Sequence, residues 1–315
     1  MKQLPGLKPR TRYQSAIRIL VPIAGLWFGL DLSARLGAEL FWFQEVGYLK
    51  MYLLRLTTQG VLWIVTFALS LGYLLGNLGL AQRLKYAPPP DYLPLARPSK
   101  PAIRFRWLMS LTLGLSLLVG MLLLYYGLAL FSQWHPAPNL PTVSPPMPSL
   151  FRPESLWHLG VRSVSQGWIA IALLGLAIAL LRSPQFWLVA ISLVLSGLVS
   201  SVLSRQWVRV LQSLHAASFD RTEPVFNKDI GFYIFSLPLW ELLEFWLMGL
   251  LLYGWMAVAL TYLLSGNSIS QGWFVGFSPP QRRHPLRAGG RLFVSSRLQL
   301  LAQPLPIAVL SPRGC

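Results

Sequence analysis

The sequence has 315 residues, of which 54% are hydrophobic and only 12% charged, with a formal net charge of +17. A soluble domain carries roughly a quarter charged residues. Here the apolar residues lie in long blocks, which excludes an ordinary soluble domain and points to an integral membrane protein. The positive charge falls between those blocks, as in membrane loops, and speaks against a nucleic-acid partner.

In chain order, Lys2, Lys8, Arg10 and Arg12 precede an apolar run from Ile17, as in a secretory signal. The following Asp31-Leu-Ser-Ala-Arg35 lacks a small-x-small cleavage site, so the run is read as a retained helix. A bilayer core takes about 20 mostly apolar helical residues. That length predicts spans near 16–34, 56–82, 107–134, 163–181, 184–204 and 237–264. Only Arg182 and Ser183 separate the fourth span from Pro184, and proline suits the first turn of a helix. A tight helical hairpin or a re-entrant pair fits this junction.

Lysine and arginine set the orientation. The N-terminal arm, the loop after span two (Arg83, Lys85, Arg97, Lys100, Arg104, Arg106) and the segment after span six (Arg282, Arg283, Arg287, Arg291) are almost free of acids. The intervening loops mix both signs. The alternation places both termini in the cytoplasm of a cell-membrane protein. Residues 207–214 repeat Trp207, Val210, Leu211 and Leu214 at helical spacing and are expected at the interface. "ELFWFQEVGYLKMY", from Glu39, suits the headgroup belt. Proline-rich stretches at 88–101 and 136–153 read as extended linkers.

"FNKDIGFYIFSLPLW", residues 226–240, interrupts the apolar pattern with charge, glycine and aromatics. It reads as a motif by which the chain enters the membrane. Phe226, Phe232, Tyr233 and Phe235 act as belt aromatics, Gly231 lets the backbone turn, Ser236 caps the helix and Pro238 occupies its first turn. Lys228 and Asp229, adjacent in a wet loop, have no assigned partner. Helix packing has two candidate ridges: Gly72 with Gly76, and Ser192, Ser196, Ser200 and Ser204 at every fourth position. A hydroxyl-lined path is the functional alternative for the serines.

Catalytic signals are missing. Cys315 is the single cysteine, and His135, His158, His215 and His284 have no second ligand at metal spacing. No phosphate loop or nucleophile elbow occurs. The spans carry almost no central ionisable residue, which speaks against a self-sufficient ion-coupled transporter. The reading therefore names no catalytic, cofactor or metal residue, and an enzyme confined to these residues is not supported.

"FWFQEVGY", "FNKDIGFYIFSLP" and "SPPQRRH" (Ser278–His284) together resemble the bacterial uncharacterised protein family UPF0182 over about residues 16–284. The resemblance implies about seven membrane helices followed by a large extracytoplasmic domain, and brings no activity. After His284, where it implies a seventh helix, the sequence turns rich in arginine and proline. Residues 265–315 are read as a basic cytoplasmic tail, or as out-of-frame translation after His284.

The expectation is thus an all-α multipass bundle of about six spans. It would act as the membrane-anchoring scaffold for an outer domain; the alternative is a permease or lipid-handling component. The partners implied are the lipid bilayer and other membrane proteins or further copies of the chain.

Overall fold

A long apolar run can satisfy every backbone donor and acceptor without help from water only by coiling on itself. The structure, a computed structural model, describes residues 12–85, 103–134, 158–161, 165–223, 227–264 and 273–274. It is all-α: α1 (Arg12–Glu45), α2 (Leu49–Lys85), α3 (Phe105–Trp134), α4 (Gly167–Arg182), α5 (Pro184–Arg205), α6 (Trp207–Leu214) and α7 (Leu237–Leu263). A two-residue antiparallel pair, β1 (Ile103–Arg104) with β2 (Trp273–Phe274), is added to them. Both proline-rich stretches, His135, His284 and the segment after Leu264, β2 excepted, lie outside the described residues.

Two compact units divide the chain, one through Thr58 and one from Gln59. In the first, α1 ends where Gly47 takes a φ of +79°, open to glycine at little cost. The Tyr48 N–H donates to the Phe43 carbonyl at 2.9 Å, and the Gly47 N–H to the Gln44 carbonyl at 3.1 Å. This is a Schellman stop. The chain restarts at once as α2, and Phe43 stacks on Tyr52 with ring centroids 4.9 Å apart. The stretch 39–52 assigned to the headgroup belt is therefore the junction of two helices, with Phe41, Trp42 and Tyr48 exposed.

In the second unit α3, α5 and α7 pack pairwise, and α4 lies against α3 and α5. The fully buried Tyr126 of α3 donates its hydroxyl to the Phe245 carbonyl of α7 at 2.7 Å. Its ring and hydroxyl occupy the space that a side chain on Gly249 would need. Tyr253 of α7 donates to the Leu188 carbonyl of α5 at 2.6 Å, and Ser192 lies 3.3 Å from the same phenol. Trp246 of α7 donates to Ser70 of α2 at 2.8 Å, and Ala81 packs on Val258 and Tyr262 further along.

These pairings fix relative direction. From Ser70 to Ala81, α2 follows α7 from Trp246 to Tyr262, so the two run parallel. The β1–β2 pair joins the start of α3 to the chain beyond α7, so α3 runs antiparallel to α7. Between α4 and α5 only Ser183 intervenes, with Pro184 at the first turn as expected.

Among the described residues four helical stretches are long and apolar enough to cross a membrane: Leu49–Leu84, Arg106–Gln133, Pro184–Arg205 and Phe232–Leu263. They overlap the second, third, fifth and sixth expected spans, of which the third and sixth run one residue further. The fourth is a helix of 16 residues, roughly 24 Å at 1.5 Å per residue, against about 30 Å of hydrocarbon. The first lies within the 34-residue α1, which carries an Asp31–Arg35 ion pair at 2.9 Å.

The glycines of α2 contrast with Gly249. Among the described residues nothing lies within 4 Å of a Cβ placed on Gly72 or Gly76, apart from their own helix backbone. Gly249→Ala should cost about 1–3 kcal/mol through overpacking. Gly76→Ala should cost nothing and gain up to about 1 kcal/mol of helix propensity. Unfolding of both variants in detergent micelles measures the contrast, and equal losses would contradict it.

Candidate functional site

The 226–240 motif is the most structured polar feature of the second unit, although Phe226 itself lies outside the described residues. The chain leaves α5 at Arg205, forms the eight-residue amphipathic α6 expected over 207–214, and returns through residues 216–223. Asp220 and Asn227 take left-handed φ values of 51° and 52°, a conformation that Asp and Asn adopt more readily than most residues. Thr222 and Asp229 form an antiparallel bridge, with the Ile230 N–H donating to the Arg221 carbonyl at 3.0 Å.

Asp229 organises this region. One carboxylate oxygen accepts the Gly231 N–H at 2.5 Å and the Phe219 N–H at 3.3 Å. The other accepts the Ser218 hydroxyl at 2.8 Å and the Asp220 N–H at 3.1 Å. An acceptor-only group meeting that many donors is held charged. The Gly231 N–H above all, then the Ser218 hydroxyl, with smaller help from the Phe219 and Asp220 N–H groups, pull its carboxyl below the usual carboxylate range.

The helix therefore begins at Asp229, whose side chain caps the second N–H of the first turn. This overturns the assignment of Ser236 as N-cap. Ser236 has helical φ and ψ of −89° and −40° and makes no side-chain capping bond. Between them Phe232–Ser236 forms a π-turn, with the Leu237 N–H reaching the Phe232 carbonyl. Pro238 offers no N–H, and its ring strikes the carbonyl four residues back in a regular helix. A wider turn just before it carries the helix past that clash.

Gly231 also acts differently from expectation. Its φ is −56°, ordinary helix. A Cβ there would lie 2.5 Å from the Ala217 carbonyl oxygen and 2.9 Å from the Asp229 carboxylate, so glycine is required for close approach rather than for turning. Lys228 has a partner after all: its ammonium lies 4.2 Å from the Phe232 ring centroid, a cation–π contact. Phe219 stacks on Phe235 at 6.1 Å.

Lys228, Asp229, Gly231, Phe232, Tyr233 and Pro238 are thus brought together at one helix start. The other candidates lie elsewhere. Gly72 and Gly76 are exposed on α2, Ser192, Ser196 and Ser200 are fully buried on α5, and Ser204 is half-buried. Sequence reasoning missed Tyr126, Tyr253 and Trp246, whose polar atoms tie the helices to one another. Among the described residues no three His, Cys, Asp or Glu side chains gather as metal ligands would. The arrangement positions backbone and aromatic side chains.

The model of uncharacterised protein family UPF0182 matches residues 16–303 of this chain. The chain belongs to family UPF0182. The match runs past His284, so Arg287, Arg291 and Arg297 fall within the UPF0182 region rather than beyond it. A UPF0182 protein of Nostoc sp. is 45% identical over 94% of this chain and 32% of its own length. Another from Trichodesmium erythraeum is 38% identical over 84% of this chain and 28% of its own. A third, from Synechocystis sp., is 33% identical over 81% and 27%. The chain spans about a third or less of these UPF0182 relatives. No solved structure matches it.

Gly231→Ala should destabilise the helix start by about 1–3 kcal/mol, since a backbone carbonyl stands in the way. Asp229→Ala should speed tryptic cleavage at the exposed Arg221 and Lys228. For pH the sign follows from a folded pKa below the unfolded one. The Asp229 contribution is fully present above about pH 4 and fades as pH falls through the lower folded value. Amide exchange at Phe219, Asp220 and Gly231, corrected for intrinsic rates, should lose protection only in that acid range; uniform protection down to pH 2 would contradict this.

Proposed function

We propose that this chain is the multipass, cell-membrane part of a longer protein and serves as the scaffold that holds a domain outside the membrane. The observation that carries this is the four long apolar helical stretches. Around an apolar core α3 and α5 run opposite to α2 and α7, and large apolar side chains are left on the outside, among them Phe186, Leu193, Val194 and Leu247. Water disfavours such a surface, whereas lipid accommodates it. Relatives about three times as long leave room for the further domain.

In this reading both termini are cytoplasmic, and the Asp229 helix start lies on the outer side with α6. The unopposed lysines and arginines of the N-terminal arm and the 83–106 loop support that orientation. Membrane lipid is the immediate partner. The second reading, a permease or lipid-handling component, draws on Ser192, Ser196 and Ser200, all 0% exposed in the interior. Under that reading Ser196→Leu abolishes transport in a chain that still inserts.

Orientation is tested by single cysteines at Pro141 and at Pro90 in a Cys315→Ser background, with a membrane-impermeant maleimide on intact cells. Position 141 should label directly and position 90 only after permeabilisation. The reverse pattern, or labelling of both in intact cells, would overturn the assignment.

A further inference from the structure

Hydroxyls within an apolar helix ordinarily turn back to the carbonyl four residues earlier. Thr66, Ser70, Ser116, Ser192, Ser201 and Thr261 all do so, at 2.5–2.8 Å. Ser196 and Ser200 do not. Both are 0% exposed, on the same helix as Ser192, and their hydroxyls meet no hydrogen-bond partner. On α3 Gln133 is 5% exposed, and neither its amide nitrogen nor its amide oxygen is partnered. On α7 one carboxylate oxygen of Glu244 is buried without a partner.

Ser196, Ser200 and Gln133 come to one end of the bundle. Ser192 meets Tyr253, and Arg209 of α6 faces Glu241, so α5 from Ser196 onward passes along α7 from Gly249 back towards Glu241. Glu244 stands at that level too, but it is half-buried and lies half a turn round α7 from Tyr253, away from α5. Tyr126 reaches Phe245, and Gln133 lies two turns further along α3, which runs antiparallel to α7. Gln133, seven residues after Tyr126, and Ser196 and Ser200, four and eight after Ser192, lie by helical spacing on the sides of α3 and α5 that meet α7.

Buried polar groups are almost always hydrogen-bonded, and leaving several unsatisfied side by side is costly. Water satisfies such a set when it finds between two and four partners. Here two hydroxyls and an amide with donor and acceptor supply them. We propose that the interior between α3, α5 and α7, in the half next to α6, is a hydration site that binds water on Ser196, Ser200 and Gln133. Below it, from Ser192 and Tyr253 onward, the hydroxyls close on backbone carbonyls and the interior is dry.

The test is water-edited solid-state NMR on the isotope-labelled chain in lipid bilayers. Ser196, Ser200 and Gln133 side chains should gain magnetisation from water severalfold faster than Leu180 and Thr261, which are buried elsewhere, the latter with its hydroxyl closed on a carbonyl. Equal slow build-up at all five would overturn the proposal, with the serine hydroxyls back-bonded as at Ser192. Leu193 and Val194, exposed on α5, read the membrane assignment separately. Fast water transfer there refutes the bilayer reading and leaves the hydration site standing. As a second readout, Ser200→Ala should lower the melting temperature in micelles because a water contact is lost, whereas a rise would indicate a dry, unsatisfied hydroxyl and refute the site.

Discussion

The second unit depends on the contact between Tyr126 and the α7 backbone beside Gly249. A helix carbonyl has two lone pairs, and the Phe245 carbonyl accepts the Tyr126 hydroxyl at 2.7 Å with a fully buried ring around it. The ring can lie that close only because Gly249 has no side chain. The contact sets the level of α3 against α7, and Tyr253 on Leu188 then sets α5 against α7.

Much of this architecture was legible in the sequence. Apolar blocks of span length gave the helices, Pro184 gave the start of α5, and the spacing of Trp207, Val210, Leu211 and Leu214 gave α6. What stayed hidden depends on contacts distant in sequence. Tyr126 and Phe245 are 119 positions apart, and nothing near either predicts the other. The glycines show the same limit. Gly72 and Gly76 have the recognised spacing yet meet none of the described residues, whereas Gly249 has no such partner in sequence and is tightly packed.

At the helix start the error lay in the choice of cap. Ser236 followed by Pro238 is the commoner local signal, but the donors that settle the matter belong to Phe219 and Asp220, across a loop. An Asp two residues before a Gly, ahead of an apolar run, was the signal available. The two family motifs share a meaning at this level. "WFQEVGY" ends one helix through Gly47, and "NKDIGFY" begins another through Asp229.

Asp229 also has a mechanical consequence. Its two oxygens grip the 218–220 segment and the first turn leading into α7 at once. Any pull on that loop is therefore delivered to the tip of α7 instead of being absorbed as slack. From α7 the force has stiff routes onward, through Trp246 to α2, through Phe245 to α3 and through Tyr253 to α5. The carboxylate works as a rivet between a handle and a shaft, so a load on the loop is shared by the helices tied to α7.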